Sequence, residues 1–408
     1  MSSDADRPRP RPLVPTLLLA ILGTAPAVAD EARWQPFAST RLKAHTYGHS
    51  DFPADSNAHV LDLHLGTALR FNDRFDAAVE LEAIVDTKLG TFDDGVDRDP
   101  DRPVITDPNA EEINRAWVRY RQGRVAVKVG RQRLDLTNGR FIGSARFRLN
   151  EQTYDAVRFD APLGSRGGLT AAFFNKVHRV GGDDHPQGEW TGDSYVLHAH
   201  WLLGSSDKDA PRMDAYHYAI HSPEAAANSL RITGARLKTP GKKKSLRPNL
   251  EVEFAHQRDW ENNPRDVDLR YMAATARWSA GAWKLASGFE LMEGDGDVGF
   301  QTPLARKHKF AGLSDQFLKT PAEGLRDRFV KTGYRFPDRG RVSKPRVDIA
   351  YHDFSGWRGD SVRGHEVDLR FRCNIGKTKL DAVWAHFDGR RGRADAEHFW
   401  LMVSRKIM

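Results

Sequence analysis

The sequence predicts an all-β chain closing into a single transmembrane antiparallel β-barrel of about 18 strands, with short periplasmic turns and longer extracellular loops. Three observations predict it. Apolar residues recur with period two, not 3.6, along most of the chain. Clusters of Gly, Asn, Asp and Ser break these runs at roughly 21-residue spacing, which suits strands of about 10 residues plus a connection. The chain is also polar on average, with mean hydropathy −0.60 and 29% charged residues. A barrel tolerates this because it shows lipid only every second side chain.

At the N-terminus, Arg7, Arg9 and Arg11 form a basic region ahead of the apolar run Leu13 to Gly23, and Ala27-Val28-Ala29 is an A-x-A cleavage pattern. The run is too short to span a bilayer as a helix, which takes roughly 20 apolar residues. Residues 1–29 therefore read as a signal peptide and residues 30–408 as one barrel domain. No later segment approaches 18 consecutive apolar residues, so no transmembrane helix is expected. The formal charge is +7, or +6 once the three Arg and two Asp of the signal are removed. A basic balance suits nucleic acid, an acidic surface or an anionic solute; export past the inner membrane argues against nucleic acid. Cys373 is the single cysteine, so no intramolecular disulfide is possible.

Along the chain, Leu61, Leu63, Leu65 and Leu69 alternate with Asp62, His64 and Arg70. Phe75, Val79, Leu81 and Val85 alternate with Asp76, Glu80, Glu82 and Asp86. The same pattern recurs at Tyr195 to Leu203, Leu250 to Ala255, Trp283 to Leu291 and Glu366 to Cys373. Successive strand side chains point to opposite faces, so each run has one apolar and one charged face. Turn signals fall at Asn72-Asp73, Gln122-Gly123, Ser165 to Gly168, Gly204 to Asp207, Ser279 to Gly281, Asp338 to Gly340 and Asn374 to Gly376. Longer polar connections are expected at 93–108, 181–193, 262–267 and 294–327. Aromatics near strand ends (Tyr47, Phe71, Phe75, Tyr120, Trp283, Trp357, Trp384 and Trp400) would form interfacial girdles. Eighteen amphipathic strands are too many for a sandwich of about 7 to 9.

Two stretches carry a family resemblance. One is Gly299-Phe300-Gln301-Thr302-Pro303-Leu304-Ala305, continuing through His308-Lys309-Phe310 to Asp315-Gln316-Phe317-Leu318. The other is Gly130-Arg131-Gln132-Arg133-Leu134 with Asn150-Glu151-Gln152-Thr153-Tyr154-Asp155-Ala156-Val157-Arg158. With gaps between Arg41 and Arg405, the chain resembles the alginate export family of outer-membrane porins. The resemblance implies an outer-membrane location in a Gram-negative bacterium and a basic constriction that draws uronate carboxylates through the pore. It places Arg131, Arg133 and Arg158 in that constriction, with Asp155 as the acidic partner that orders them. Strand phase alone adds Arg115 and Arg119, and later Arg370 and Arg372. Arginine suits the role because it stays charged and pairs carboxylates in a fork.

Phase is open at Gly130 to Leu134. Val125, Val127 and Val129 should face lipid, which would turn Arg131 and Arg133 outward too; either the strand has reached the membrane interface there, or Gly130 marks a bulge that flips the phase. The loop 294–327 is expected to fold over or into the pore as a gate. Thr302, Pro303 and Phe310 would anchor or stiffen it, and Lys307, His308 and Lys309 would offer cations.

His198/His200 and His217/His221 share strand faces but lack a third ligand at clear spacing, so no metal site is expected. The acidic loop Asp93 to Asp101 lacks EF-hand spacing. No cofactor is expected. No G-x-S-x-G, H-E-x-x-H or phosphate loop occurs, so the chain does not read as an enzyme. Expected partners are an anionic polysaccharide or oligosaccharide, outer-membrane lipid, the barrel-assembly machinery and, in export, a periplasmic secretion scaffold. The terminal Lys406-Ile407-Met408 departs from the aromatic end that assists assembly in many such barrels. The alternatives are an uptake porin for small organic anions or oligosaccharides, a secreted β protein binding acidic glycans, and a barrel-borne hydrolase.

Overall fold

A strand that is greasy on one face and charged on the other must bury one face and pair both edges. Eighteen such strands do so by closing a ring. The computed structural model describes residues 33–204, 210–241, 247–358 and 361–408; the expected signal peptide and Ser205 to Asp207 lie outside them. The first six strands are β1 (Arg33–His49), β2 (Ser56–Arg70), β3 (Phe75–Asp86), β4 (Ala110–Gln122), β5 (Val125–Gln132) and β6 (Thr153–Leu163). Next come β7 (Gly167–His178), β8 (Glu189–Leu202), β9 (Arg212–Ile220), β10 (Leu230–Lys238), β11 (Asn249–Asp259) and β12 (Asp268–Ala280). The last are β13 (Trp283–Met292), β14 (Leu325–Arg335), β15 (Val342–Ser355), β16 (Val362–Ile375), β17 (Thr378–Gly389) and β18 (Ala396–Lys406). Each pairs antiparallel with its sequence neighbours, and β1 pairs with β18. Closure removes the free sheet edge, which is what lets strands cross a bilayer.

The outer surface is the apolar phase. Leu42, Leu63, Val118, Leu197, Val252, Phe289, Val330 and Leu369 are all exposed, while their neighbours Lys43, Asp62, His64, Glu253, Glu290 and Asp368 are buried in the lumen. Buried charge on the inside and exposed apolar side chains on the outside invert a soluble core, as a lipid solvent requires. Phe71, Phe75 and Trp283 do project outward near the short turns. Trp400 does not: it is 1% exposed and packs inside against His308. Strand phase, not proximity to a strand end, sets its direction.

Loops are concentrated at one end. The 294–327 loop spans 293–324, since β14 begins at Leu325, and the 181–193 connection spans 179–188, since β8 begins at Glu189. A further long connection, 133–152, joins β5 to β6 and was not among the expected ones. The loops 133–152 and 293–324 both turn into the barrel. Leu134, Phe141, Ile142, Phe300, Leu304 and Phe317 form an apolar core there with Tyr154, Tyr271 and Phe354 of the wall.

Candidate functional site: a basic passage through the lumen

The two inward loops hold each other by backbone. Gly143 N donates to Leu304 O at 3.0 Å and Arg306 N to Gly139 O at 2.9 Å, beside a parallel bridge between Ile142 and Leu304. Gln152 Nε2 donates to the carbonyls of Gly143 (2.7 Å) and Leu304 (3.1 Å). The pair is pinned to the wall by Arg140. Its Nε lies 2.6 Å from Glu290 Oε1, its Nη2 3.0 Å from Oε2, and its Nη1 donates to Thr302 Oγ1 at 3.1 Å. Phe310 lies under the same guanidinium at 4.8 Å. Three strands further round the same side of the wall, on β16, Leu313 N, Ser314 N and Ser314 Oγ all donate to the buried Glu366 carboxyl group. Backbone amides converging on a carboxylate make a strong latch.

What remains open is a cavity of about 1050 Å³, running from Val180 and Leu318 in the loops to Lys284 and Arg346 near the turn end. Fourteen Lys or Arg side chains line it against four carboxylates, Asp315, Asp348, Asp368 and Asp381. A second cavity of about 880 Å³ lies beside it, and both touch Lys238, Arg277, Lys309 and Lys331. Several of these cations are neutralised locally. Arg370 pairs with Asp381, Arg346 and Arg372 with Asp348, and Arg148 with Asp315 at 3.0 Å. Among the described residues Lys307, Lys284 and Lys331 have no carboxylate at ion-pair distance.

The loop groups are electrostatically perturbed. Burial pushes the Lys307 ammonium down to about 7, assisted by the nearby Arg179 and Arg140. Burial and Arg306 bring Lys309 to about 8. Burial alone would raise the Asp315 carboxyl, but His308 and Arg148 more than offset it and hold it well below the usual range. His308 in turn stacks on Phe147 at 3.3 Å between ring centres.

The expected site residues divide. Arg370, Arg372, Pro303, Lys307, His308 and Lys309 line the main cavity, and Arg158 and Phe310 line the second. Thr302 is a buried anchor rather than a lining group. Arg115 and Arg119 face the lumen but are held by Glu80 and Asp76, away from both cavities. Arg133 turns inward to Glu151 and Glu80.

Arg131 and Asp155 are a correction. Gly130 takes φ +112° and carries no bulge: β4–β5 and β5–β6 stay in register through it. A side chain there would meet Ala116 O at 2.3 Å. Arg131 therefore keeps the outward phase of exposed Val129, and Asp155 that of exposed Val157, while Tyr154 and Ala156 are buried inside. Arg131 Nε bonds Asp155 Oδ1 at 3.0 Å on the outer face, near the loop end. The pair is outside the passage.

Sequence reasoning missed Arg140, Arg146, Arg148 and Arg179. The usable signal was the gap between the alternating runs ending at Gln132 and starting at Thr153, which is too long for a hairpin turn. Of the histidine pairs, His198 points inward to Asp214 at 2.9 Å, and His217 bonds Thr233.

Taken together, a closed 18-strand antiparallel barrel with an apolar outside and loops folded into a charged lumen is the fold of an outer-membrane porin. Its fold matches solved porins closely. Acinetobacter baumannii OccAB4 superposes with TM-score 0.69 at 13% identity, covering 91% of this chain and 98% of that one. Pseudomonas aeruginosa OccK9 (OpdG) gives 0.68 at 13% identity, over 91% and 99%. Pseudomonas aeruginosa OpdK, solved with vanillate, gives 0.67 at 12%, over 91% and 98%. In sequence, residues 40–167 match the model of the alginate export family. That segment includes Gly130 to Leu134 and Asn150 to Arg158; the loop motif from Gly299 lies beyond it. Curated protein sequences give no match.

Proposed function

We propose that the chain is an anion-selective porin whose solutes carry carboxylates, with an oligomer or polymer of uronic acid, of the alginate type, as the substrate class. The observation that carries this reading is the lining of the passage, fourteen cations against four carboxylates. Such a lining concentrates anions and holds each weakly at several sites, as conduction requires. The uronate assignment rests on the family pattern over 40–167. The test is reconstitution in planar bilayers, with reversal potentials in a KCl gradient and titration of oligouronate. Anion selectivity with block of the current by oligouronate supports the proposal, and cation selectivity overturns it.

A second reading is uptake of small carboxylates. The observation in its favour is that the loops 133–152 and 293–324 narrow the lumen to a cavity of about 1050 Å³, room for a small acid without loop movement. OpdK, of like fold, was solved with one such acid. Block by vanillate but not by oligouronate would favour this reading over the first.

A further inference from the structure

The outer-face pair Arg131–Asp155 does not end there. Asp155 Oδ2 lies 3.1 Å from Nε2 of His178, the last residue of β7. Because Arg131 holds Asp155 as a carboxylate, His178 Nε2 must carry the proton and donate it. In the neutral ring Nδ1 then keeps its lone pair. His178 is only 3% exposed, and Nδ1 has no hydrogen-bond partner. What it faces is Glu189 Oε1 at 3.1 Å and Asp183 Oδ1 at 3.9 Å. A buried lone pair opposite two carboxylates is repulsive unless a positive centre sits between them.

We propose that His178, Asp183 and Glu189 bind a first-row divalent cation, of the Zn²⁺ class, on the outer face of the barrel at its loop end. The three ligand atoms lie within 4.8 Å of one another, so a small shift of the exposed Asp183 side chain brings all three to the roughly 2.0–2.2 Å that such an ion takes. One imidazole nitrogen with two carboxylate oxygens suits Zn²⁺ or Mn²⁺ better than Ca²⁺ or Mg²⁺, which favour oxygen alone. The outer shell is already built, since a ligating histidine whose other nitrogen donates to a carboxylate is the usual arrangement at such sites. The charges also fit. Asp155, Asp183 and Glu189 stand against Arg131 and Lys176, the latter 2.9 Å from Glu189 Oε2, leaving one net negative charge for the cation. Asp183 is exposed, with Glu189 half-buried beside it, so ion and water can enter from the loop side.

The three ligands come from the end of β7, the loop 179–188 and the start of β8. A bound ion would staple that loop at its base. The next residue, Arg179, turns the other way, stacks on Trp190 at 3.6 Å and lines the passage. The ion would thus fix a pore cation from outside the pore.

The test uses the whole barrel, purified in detergent, washed with chelator and titrated with Zn²⁺ by calorimetry and with Co²⁺ by visible absorption. Heat-modifiable migration on gels verifies folding. Wild type should bind one equivalent and give Co²⁺ bands. His178→Ala and Asp183→Asn should each weaken Zn²⁺ at least about tenfold, and Asp155→Asn by about 10- to 100-fold through lost support of His178. Should His178→Ala fail to fold, Asp183→Asn, in an exposed loop, carries the test. Folded wild type that binds no Zn²⁺, or binds it no better than Asp183→Asn, overturns the proposal and leaves a proton as the positive centre on Nδ1.

Discussion

Arg140 offers the sharpest perturbation. It is 3% exposed, forks onto Glu290, which is also buried, and holds Thr302 of the second loop. Arg140→Ala removes these contacts and leaves Glu290 with only the Tyr271 hydroxyl, at 2.8 Å. Breaking one side of a buried, forked pair costs about 3–5 kcal/mol. This cost falls on the closed arrangement of the loops, because the barrel ladder does not depend on Arg140. At about 1.4 kcal/mol per decade, the population of unlatched loops should rise roughly 10²- to 4 × 10³-fold. Single-channel recording should then show larger and noisier openings than wild type, with the folded barrel retained on gels. Arg140→Lys should fall between the two, since it keeps the charge and loses the fork. Adding Glu290→Gln to Arg140→Ala should recover part of the loss by removing the stranded charge. Wild-type conductance and noise in a folded Arg140→Ala barrel would show that this pin does not hold the passage closed.

The remaining expectations concern the wall, the passage and the loop. Leu197→Arg, on the lipid face, should destabilise the barrel by about 2–4 kcal/mol near midplane, while Thr275→Arg, lining the second cavity, should cost less; equal losses in a folding assay would invalidate the strand phase. With its ammonium at about 7, Lys307 should attract anions at pH 6 and much less at pH 8, so anion selectivity should decline across that interval, and decline less in Lys307→Arg, where only Lys309 at about 8 still titrates. The stability sign is the reverse: the unfolded chain binds this proton more tightly, so protonation is a cost to the fold that is fully present below pH 7 and fades as pH rises toward 10. Lys307→Glu with Lys331→Glu lowers the net lining charge from about +10 to about +6 and should move the reversal potential toward zero at low salt, with the effect shrinking at 1 M as the Debye length falls to about 3 Å. Deleting Phe300 to Lys319 should raise conductance and also lower the melting temperature, because Phe300, Leu304 and Phe317 belong to the inner core.

The barrel was legible in the sequence because its cause is local. Alternation at Leu61 to Arg70 or Glu366 to Cys373 reports which face meets lipid, and turn residues such as Gln122-Gly123 report where the chain reverses. Neither depends on distant residues. The sequence alone also determined the excess of cations and the lumen phase of Arg158, Arg370 and Arg372. What it could not determine is where irregular backbone goes. The 133–152 loop has no periodicity, and its inward course is decided by contacts with Leu304, Glu290 and Thr302, all more than 100 residues away. The direction of Arg131 was the same kind of question. It depended on whether Gly130 bulged, and the register of β4, β5 and β6 answers it: a flat glycine pressed against Ala116 O keeps the outward phase. Periodicity fixes a face only while pairing is regular; beyond a bulge or a strand end, long-range packing fixes it instead.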